Sequence, residues 1–274
     1  LLMEKLNSKQ DLLSDLAPVQ KKEWQERIED VKSCPDNLNI PRVPDAGQLI
    51  DGNLIMHNGI KIDPLSYYGF PILKMLLENK GVHEPQEEKV FQEVLASLQP
   101  GKKTILELGA YWSFYSMWFL KTFPGSDAYM IEPDIRNLYS GKKNFELNNL
   151  HGTFLQSFVG ETKKTKEKII SPDAFCKKNN ISFVDILHSD IQGFELEMLK
   201  GSRNLLTENK IGYCFISTHS NELHEQCISF LKNFGFVVVA NANLDESFSF
   251  DGIIVMKAPG YPGISSVEIS KKGK

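Results

Sequence analysis

Acidic and imidazole side chains recur at the ends of short apolar runs, the positions from which a sheet presents groups to a ligand. Glu107-Leu108-Gly109-Ala110 closes one such run, and Glu132-Pro133-Asp134 closes the next, 25 residues on. An acidic residue there is placed to accept hydrogen bonds from ribose hydroxyls, and a glycine at position 109 lets the backbone pass close to a bound molecule. His188 and Asp190 end a later run, with Glu195 following about one helical turn on. His219 ends the next among Ser217, Thr218, Ser220 and Asn221. A histidine titrates near neutrality and can take the proton of a hydroxyl, and a strand-end aspartate can hold an ammonium group. The same residues, His188-x-Asp190 and His219, also spell the 2-His-1-carboxylate set of non-haem iron oxygenases. Each has a structural alternative: Glu195 can cap the helix that opens after Gly193, Asp190 can bond its own loop, and His219 can be a plain loop histidine.

The glycine turn does not read as a dinucleotide site. G-x-G-x-x-G starting at Gly109 needs glycines where Tyr111 and Phe114 stand. The bulky stretch Tyr111-Trp112-Ser113-Phe114-Tyr115 leaves little room for phosphates but suits a nucleoside that carries a cationic sulfonium, since aromatic faces attract a cation by ~0.5–2 kcal/mol. No GxxxxGK[ST] occurs, which excludes a P-loop nucleotidase.

The elements that must position these residues follow from the hydrophobic pattern. From residue 104 the chain alternates short apolar runs with helical stretches: strands at 104–108, 128–131, 153–158, 183–187 and 212–217, with helices at 114–122, 135–148, 172–178, 195–206 and 222–234. The pair 237–240 and 252–256 closes the chain as an antiparallel edge. Such alternation predicts a doubly wound, mostly parallel α/β sheet. Upstream, Trp24, Ile28 and Val31 lie on one helix face, 53–62 reads as two short strands around Asn58-Gly59, and 84–98 as a helix. The domains expected are an N-terminal helical annex (1–82), a ligand-binding domain (83–260) and a tail (261–274). Tyr67-Tyr68-Gly69 and His83-Glu84-Pro85-Gln86-Glu87-Glu88 bear two readings: a helix start with acids favoured by the dipole, or part of an acceptor pocket under the annex.

With 274 residues, 41% apolar and 24% charged, the chain can bury a core without staples. A net charge of −4 offers no basic field for nucleic acid. Cys34, Cys176, Cys214 and Cys227 form no CxxC and no zinc spacing, so reduced thiols in a cytoplasmic protein are expected. No run is long enough to cross a bilayer. The opening Leu1-Leu2-Met3-Glu4-Lys5 lacks a signal-peptide pattern, and a start on Leu is expected of a trimmed chain.

Across about His83 to Lys257 these motifs resemble the FkbM-type S-adenosylmethionine-dependent methyltransferases. The resemblance rests on Glu107–Ser116, Glu132-Pro133-Asp134, Val184–Glu195 with its Asp-x-x-Gly-x-Glu, Leu199-Lys200-Gly201, Thr218–Glu222 and Asp251-Gly252. It implies a seven-stranded class I methyltransferase sheet, S-adenosylmethionine as cofactor and O-methylation of a sugar or other small hydroxylated acceptor. On that template Glu107, Gly109, Ala110, Tyr111, Glu132, Pro133 and Asp190 hold the cofactor, with Glu132 on the ribose, and Ser157 and Phe158 meet the adenine. His219 is expected as general base, with His188 orienting, and a divalent metal is not the favoured activator. The chain departs from the family at Ser113, where a second glycine is usual, at Gln192, and at His188, where Lys is common. A metal-dependent oxygenase and a methyltransferase-like binding module without turnover are the alternatives.

Overall fold

The computed structural model describes residues 11–162 and 166–273; the amino terminus discussed above lies outside the described residues. The chain opens with helix α1 (Pro18–Ser33) and a 3-10 turn, then a small antiparallel sheet of β1 (Leu49–Ile50), β2 (Asn53–Ile55) and β3 (Lys61–Ile62). Helices α2 (Phe70–Glu78) and α3 (Pro85–Ser97) lead into the alternating part. This runs β4 (Thr104–Leu108), α4 (Phe114–Thr122), β5 (Asp127–Glu132), α5 (Ile135–Leu147), β6 (Thr153–Gln156), β7 (Phe158–Val159), β8 (Ile169–Ile170) and α6 (Pro172–Lys178). It continues with β9 (Val184–Ser189), α7 (Glu195–Lys200), α8 (Arg203–Thr207), β10 (Ile211–Thr218), α9 (Asn221–Lys232), β11 (Val237–Ala242) and β12 (Gly252–Lys257).

Seven strands form one sheet in the order β6-β5-β4-β9-β10-β12-β11, parallel throughout except that β12 is antiparallel to both neighbours. Strand order reverses between β4 and β9, so a crevice opens beyond their carboxyl ends, where α/β sheets bind ligands. Strands buried on both faces read as near-continuous apolar runs, as β10 does. One face packs Ile105, Ile186, Tyr213, Phe215 and Val255 against Phe91, Phe114 and Trp118; the other packs Leu106, Leu187, Cys214 and Ile216 against Met198, Leu199 and Leu231. Annex residues Ile28, Val31, Leu54, Met56 and Ile72 belong to the first cluster, so the annex and the sheet share one core.

Helix α2 and strand β1 were not foreseen, and three of the expected elements differ from the sequence reading. The single helix expected over 195–206 is split into α7 and α8. An added Cβ on Gly201 would lie 2.4 Å from the Gly160 carbonyl oxygen, so that close approach replaces a helical turn. The strand expected to run to 158 stops at Gln156, and β7 pairs instead with β8. Strand β9 extends to Ser189, which puts His188 inside the sheet rather than beyond it.

Candidate active site

The strand ends build the site. Gly109 has φ +70°, and a Cβ there would stand 1.8 Å from the Asp190 carbonyl oxygen, so only glycine lets the ends of β4 and β9 meet. The following loop is tight: Tyr111 has φ 38° and Ser113 φ 60°. Ser113 thus adopts the left-handed conformation of the glycine it stands in for, at a cost of about 1–2 kcal/mol. The Glu132 carboxylate closes β5 and accepts the Tyr111 N–H (3.2 Å) and the Asp134 N–H (3.0 Å), one on each oxygen, and a further hydrogen bond from the Asn137 side chain. Burial raises its pKa against those three hydrogen bonds.

A cavity of about 1010 Å³ lies over these ends. Glu107, Gly109, Ala110, Tyr111, Glu132, Pro133 and Phe158 line one side; Tyr67, Tyr68, His83 and Glu84 of the annex side, with His188, Asp190 and Ser217, line the rest. Ser157 is the exception among the expected cofactor residues. Its hydroxyl donates to the Lys168 carbonyl (2.7 Å) and it does not line the cavity, so no hydrogen bond from it to a base is arranged.

Two histidine clusters follow. His219 Nδ1 meets Glu195 Oε1 at 2.9 Å, while its Nε2 stands 3.3 Å from Asp190 and 3.4 Å from Asp251. Burial works against its charge, but hydrogen bonds to Asp190 and Glu195 and the charge of Asp251 reverse this and lift its pKa to about 10. Both its nitrogens face carboxylates and it does not line the cavity, so this arrangement leaves it no free nitrogen for the expected role of proton acceptor. Burial, followed by the charge of Asp190, pushes Asp251 up to about 7. Glu195 also accepts the N–H groups of Ile191 and Gly193, so it both holds the loop before α7 and anchors His219.

His188 goes elsewhere. Its Nε2 meets Glu87 Oε1 at 2.8 Å, and its ring stacks on Tyr115 with centroids 4.2 Å apart. The convergence of His188, Asp190 and His219 that the metal alternative requires thus does not occur. Among the described residues, the donor atoms that lie within 4.8 Å of one another are those of Asp190, His219 and Asp251, a set able to hold a divalent cation. Beneath the annex, His83 bridges Glu84 (3.0 Å) and Glu88 (2.6 Å), His57 meets Glu88 at 3.0 Å, and Tyr115 donates to Glu84. Burial opposes the His83 charge, yet Glu84 and Glu88 raise its pKa to about 10. The first-turn acids of α3, readable as solvated dipole partners, are instead buried counter-charges. Glu87, Asp251 and the anchoring of His219 by Glu195 escaped sequence reasoning. The available signal was that Ile105-x-Glu107, Ile186-x-His188 and Phe215-x-Ser217 each exchange an apolar for a polar residue on one sheet face.

The Gly109 turn, the Glu132 carboxylate and an acid-lined crevice beyond the strand ends fit a cationic nucleoside on a Rossmann-like sheet. Residues 128–238 match the family model of the methyltransferase FkbM domain, the family that the motifs resemble. Among solved structures it is similar to a putative rRNA-methylase from Clostridium thermocellum (8% identity, covering 63% of this chain and 95% of that one, TM-score 0.48). It is also similar to a ribosomal protein L11 methylase from Lactobacillus delbrueckii subsp. bulgaricus (9%, 65% and 80%, 0.46) and to precorrin-6y C5,15-methyltransferase from Geobacter metallireducens (12%, 62% and 87%, 0.43). No curated protein matches the chain. Among the described residues, no helix is long and apolar enough to cross a membrane.

Proposed function

We propose that the chain methylates a hydroxyl of a small, sugar-like acceptor, with S-adenosylmethionine as donor. That cofactor supplies a methyl group on a positively charged sulfur. Glu132 takes the ribose hydroxyls, Asp190 the ammonium, and Phe158 an apolar face of the base. His219, as an imidazolium, holds Asp190 and Asp251 in place. The annex (residues 1–82) walls the acceptor side of the 83–260 domain, with 261–274 as a tail; Tyr67 and Tyr68 offer the acceptor ring faces and hydroxyls.

The observation that carries this reading is the charge of the cavity. Glu84, Glu107, Glu132, Asp134 and Asp190 face it, whereas Arg136, itself paired with Asp134 at 2.8 Å, is the sole Lys or Arg among the described lining residues. A negative field attracts a sulfonium and repels phosphates, which favours neutral hydroxylated acceptors over nucleic acid. Methyl transfer needs mostly alignment, and a cavity walled on both sides supplies it.

The test is a screen of methyl glycosides, lipopolysaccharide fragments and small alcohols with S-adenosylmethionine, products being read by mass spectrometry. A methyl ether is expected; transfer to RNA or to a nitrogen, or cofactor binding without turnover on any of these, contradicts the reading. The set Asp190, His219 and Asp251 favours a second reading, metal-assisted transfer, in which a divalent ion activates the hydroxyl. Loss of turnover with a chelator and its recovery with Mg²⁺ would establish that reading.

A further inference from the structure

Transfer to a hydroxyl leaves a proton to be removed, and His219, both of whose nitrogens face carboxylates, does not line the cavity. Two imidazoles do, His83 and His188; both nitrogens of His83 meet carboxylates, and His188 has a nitrogen to spare. His188 is 4% exposed, its Nε2 is committed to Glu87, and its Nδ1 is buried without a protein partner. A buried nitrogen left unpaired costs free energy, so its retention on a cavity wall points to a ligand. Glu87 is 2% exposed, and its second oxygen lies 3.5 Å from the Ser217 hydroxyl. A carboxylate at Nε2 fixes the proton on that nitrogen, so that Nδ1 presents its lone pair; the stack on Tyr115 holds the ring plane.

We propose that Nδ1 of His188 takes the acceptor hydroxyl proton, with Glu87 as the positioning residue that sets its tautomer. The inference rests on the methyltransferase reading. The acceptor oxygen gains a bond to the methyl carbon as the carbon–sulfur bond breaks, and that electron pair stays on sulfur, which becomes neutral. The hydroxyl proton passes to Nδ1, and the positive charge so placed on the ring faces Glu87. Glu84 of α3, Glu107 of β4 and the Tyr115 hydroxyl of α4 are the other titratable groups packed around it.

The experiment is nitrogen-15 NMR of the histidine rings in the full chain, titrated with pH, on wild type and Glu87→Gln. Neutral His188 should carry its proton on Nε2, and Glu87→Gln should lower its pKa by about 1–3 units. With methyl glycosides as probe acceptors, His188→Gln should lower release of S-adenosylhomocysteine by ~10²–10⁴-fold while that product still binds. A neutral ring protonated on Nδ1, an unmoved titration in Glu87→Gln, or wild-type turnover in His188→Gln would each overturn the proposal. Because Glu87→Gln is isosteric, it keeps the test alive should His188→Gln fail to fold. Failure of the wild type to bind S-adenosylhomocysteine would contradict the methyltransferase reading instead.

Discussion

Gly109 carries the tightest constraint of any residue in the crevice, because its missing side chain is what lets the Asp190 carbonyl approach. Gly109→Ala combines a left-handed backbone with a contact against main chain, and should destabilise the fold by roughly 2–5 kcal/mol and abolish cofactor binding. A denaturant melt and a binding titration on the variant check this; a melt like wild type's would contradict the geometry. At this scale the cavity lining beyond β4 and β5 was legible in the sequence. Glu107, Gly109 and Glu132 are polar or bare positions that end apolar runs, and local pattern is enough to find them. The acid–base partners were not legible, because they depend on distant chain. Glu87 lies 101 residues from His188, and Asp251 reaches His219 from the start of β12. The surroundings of Ser157 were hidden for a related reason: its hydroxyl is captured by the carbonyl of Lys168, just ahead of β8, which no local pattern announces.

Helix α5 supports the cofactor loop from below, and Gly141 is the point of contact. A Cβ there would stand 2.4 Å from Ser113 Oγ and 2.7 Å from the Tyr111 carbonyl oxygen. Gly→Ala inside a helix ordinarily stabilises by about 1 kcal/mol. Here the loop must move, so Gly141→Ala should instead lose ~1–3 kcal/mol and weaken cofactor binding; a gain in melting temperature would show the loop to be free of the helix. Elements with their own start and stop signals, such as β4, α4 and α6, were readable to the residue. Those decided by tertiary approach were not, as the α7–α8 break at Gly201 shows. Helix α2 was missed although it is amphipathic: Lys74 and Glu78 mark a polar face and five of its nine residues are buried, but so short a run, opening on Pro71, gives little period to read.

Across the whole molecule, buried histidine–carboxylate clusters join the annex to the sheet and set the response to pH. His83 and His219 both rise to about 10 from an unfolded value of ~6.5. A raised pKa contributes stability that is complete below the unfolded value and is lost as pH climbs through the folded one. The melting temperature should therefore fall between about pH 7 and pH 10, and a flat or rising profile by circular dichroism would contradict both clusters. The same architecture leaves its acid-lined crevice ready for a cationic nucleoside, and this is the central claim. Isothermal titration of the wild-type chain with S-adenosylmethionine should show binding, and Glu132→Ala should weaken it by ~1.5–3 kcal/mol through the lost ribose hydrogen bonds. Binding of NADH or ATP with no affinity for S-adenosylmethionine, or an affinity unchanged in Glu132→Ala, would contradict it.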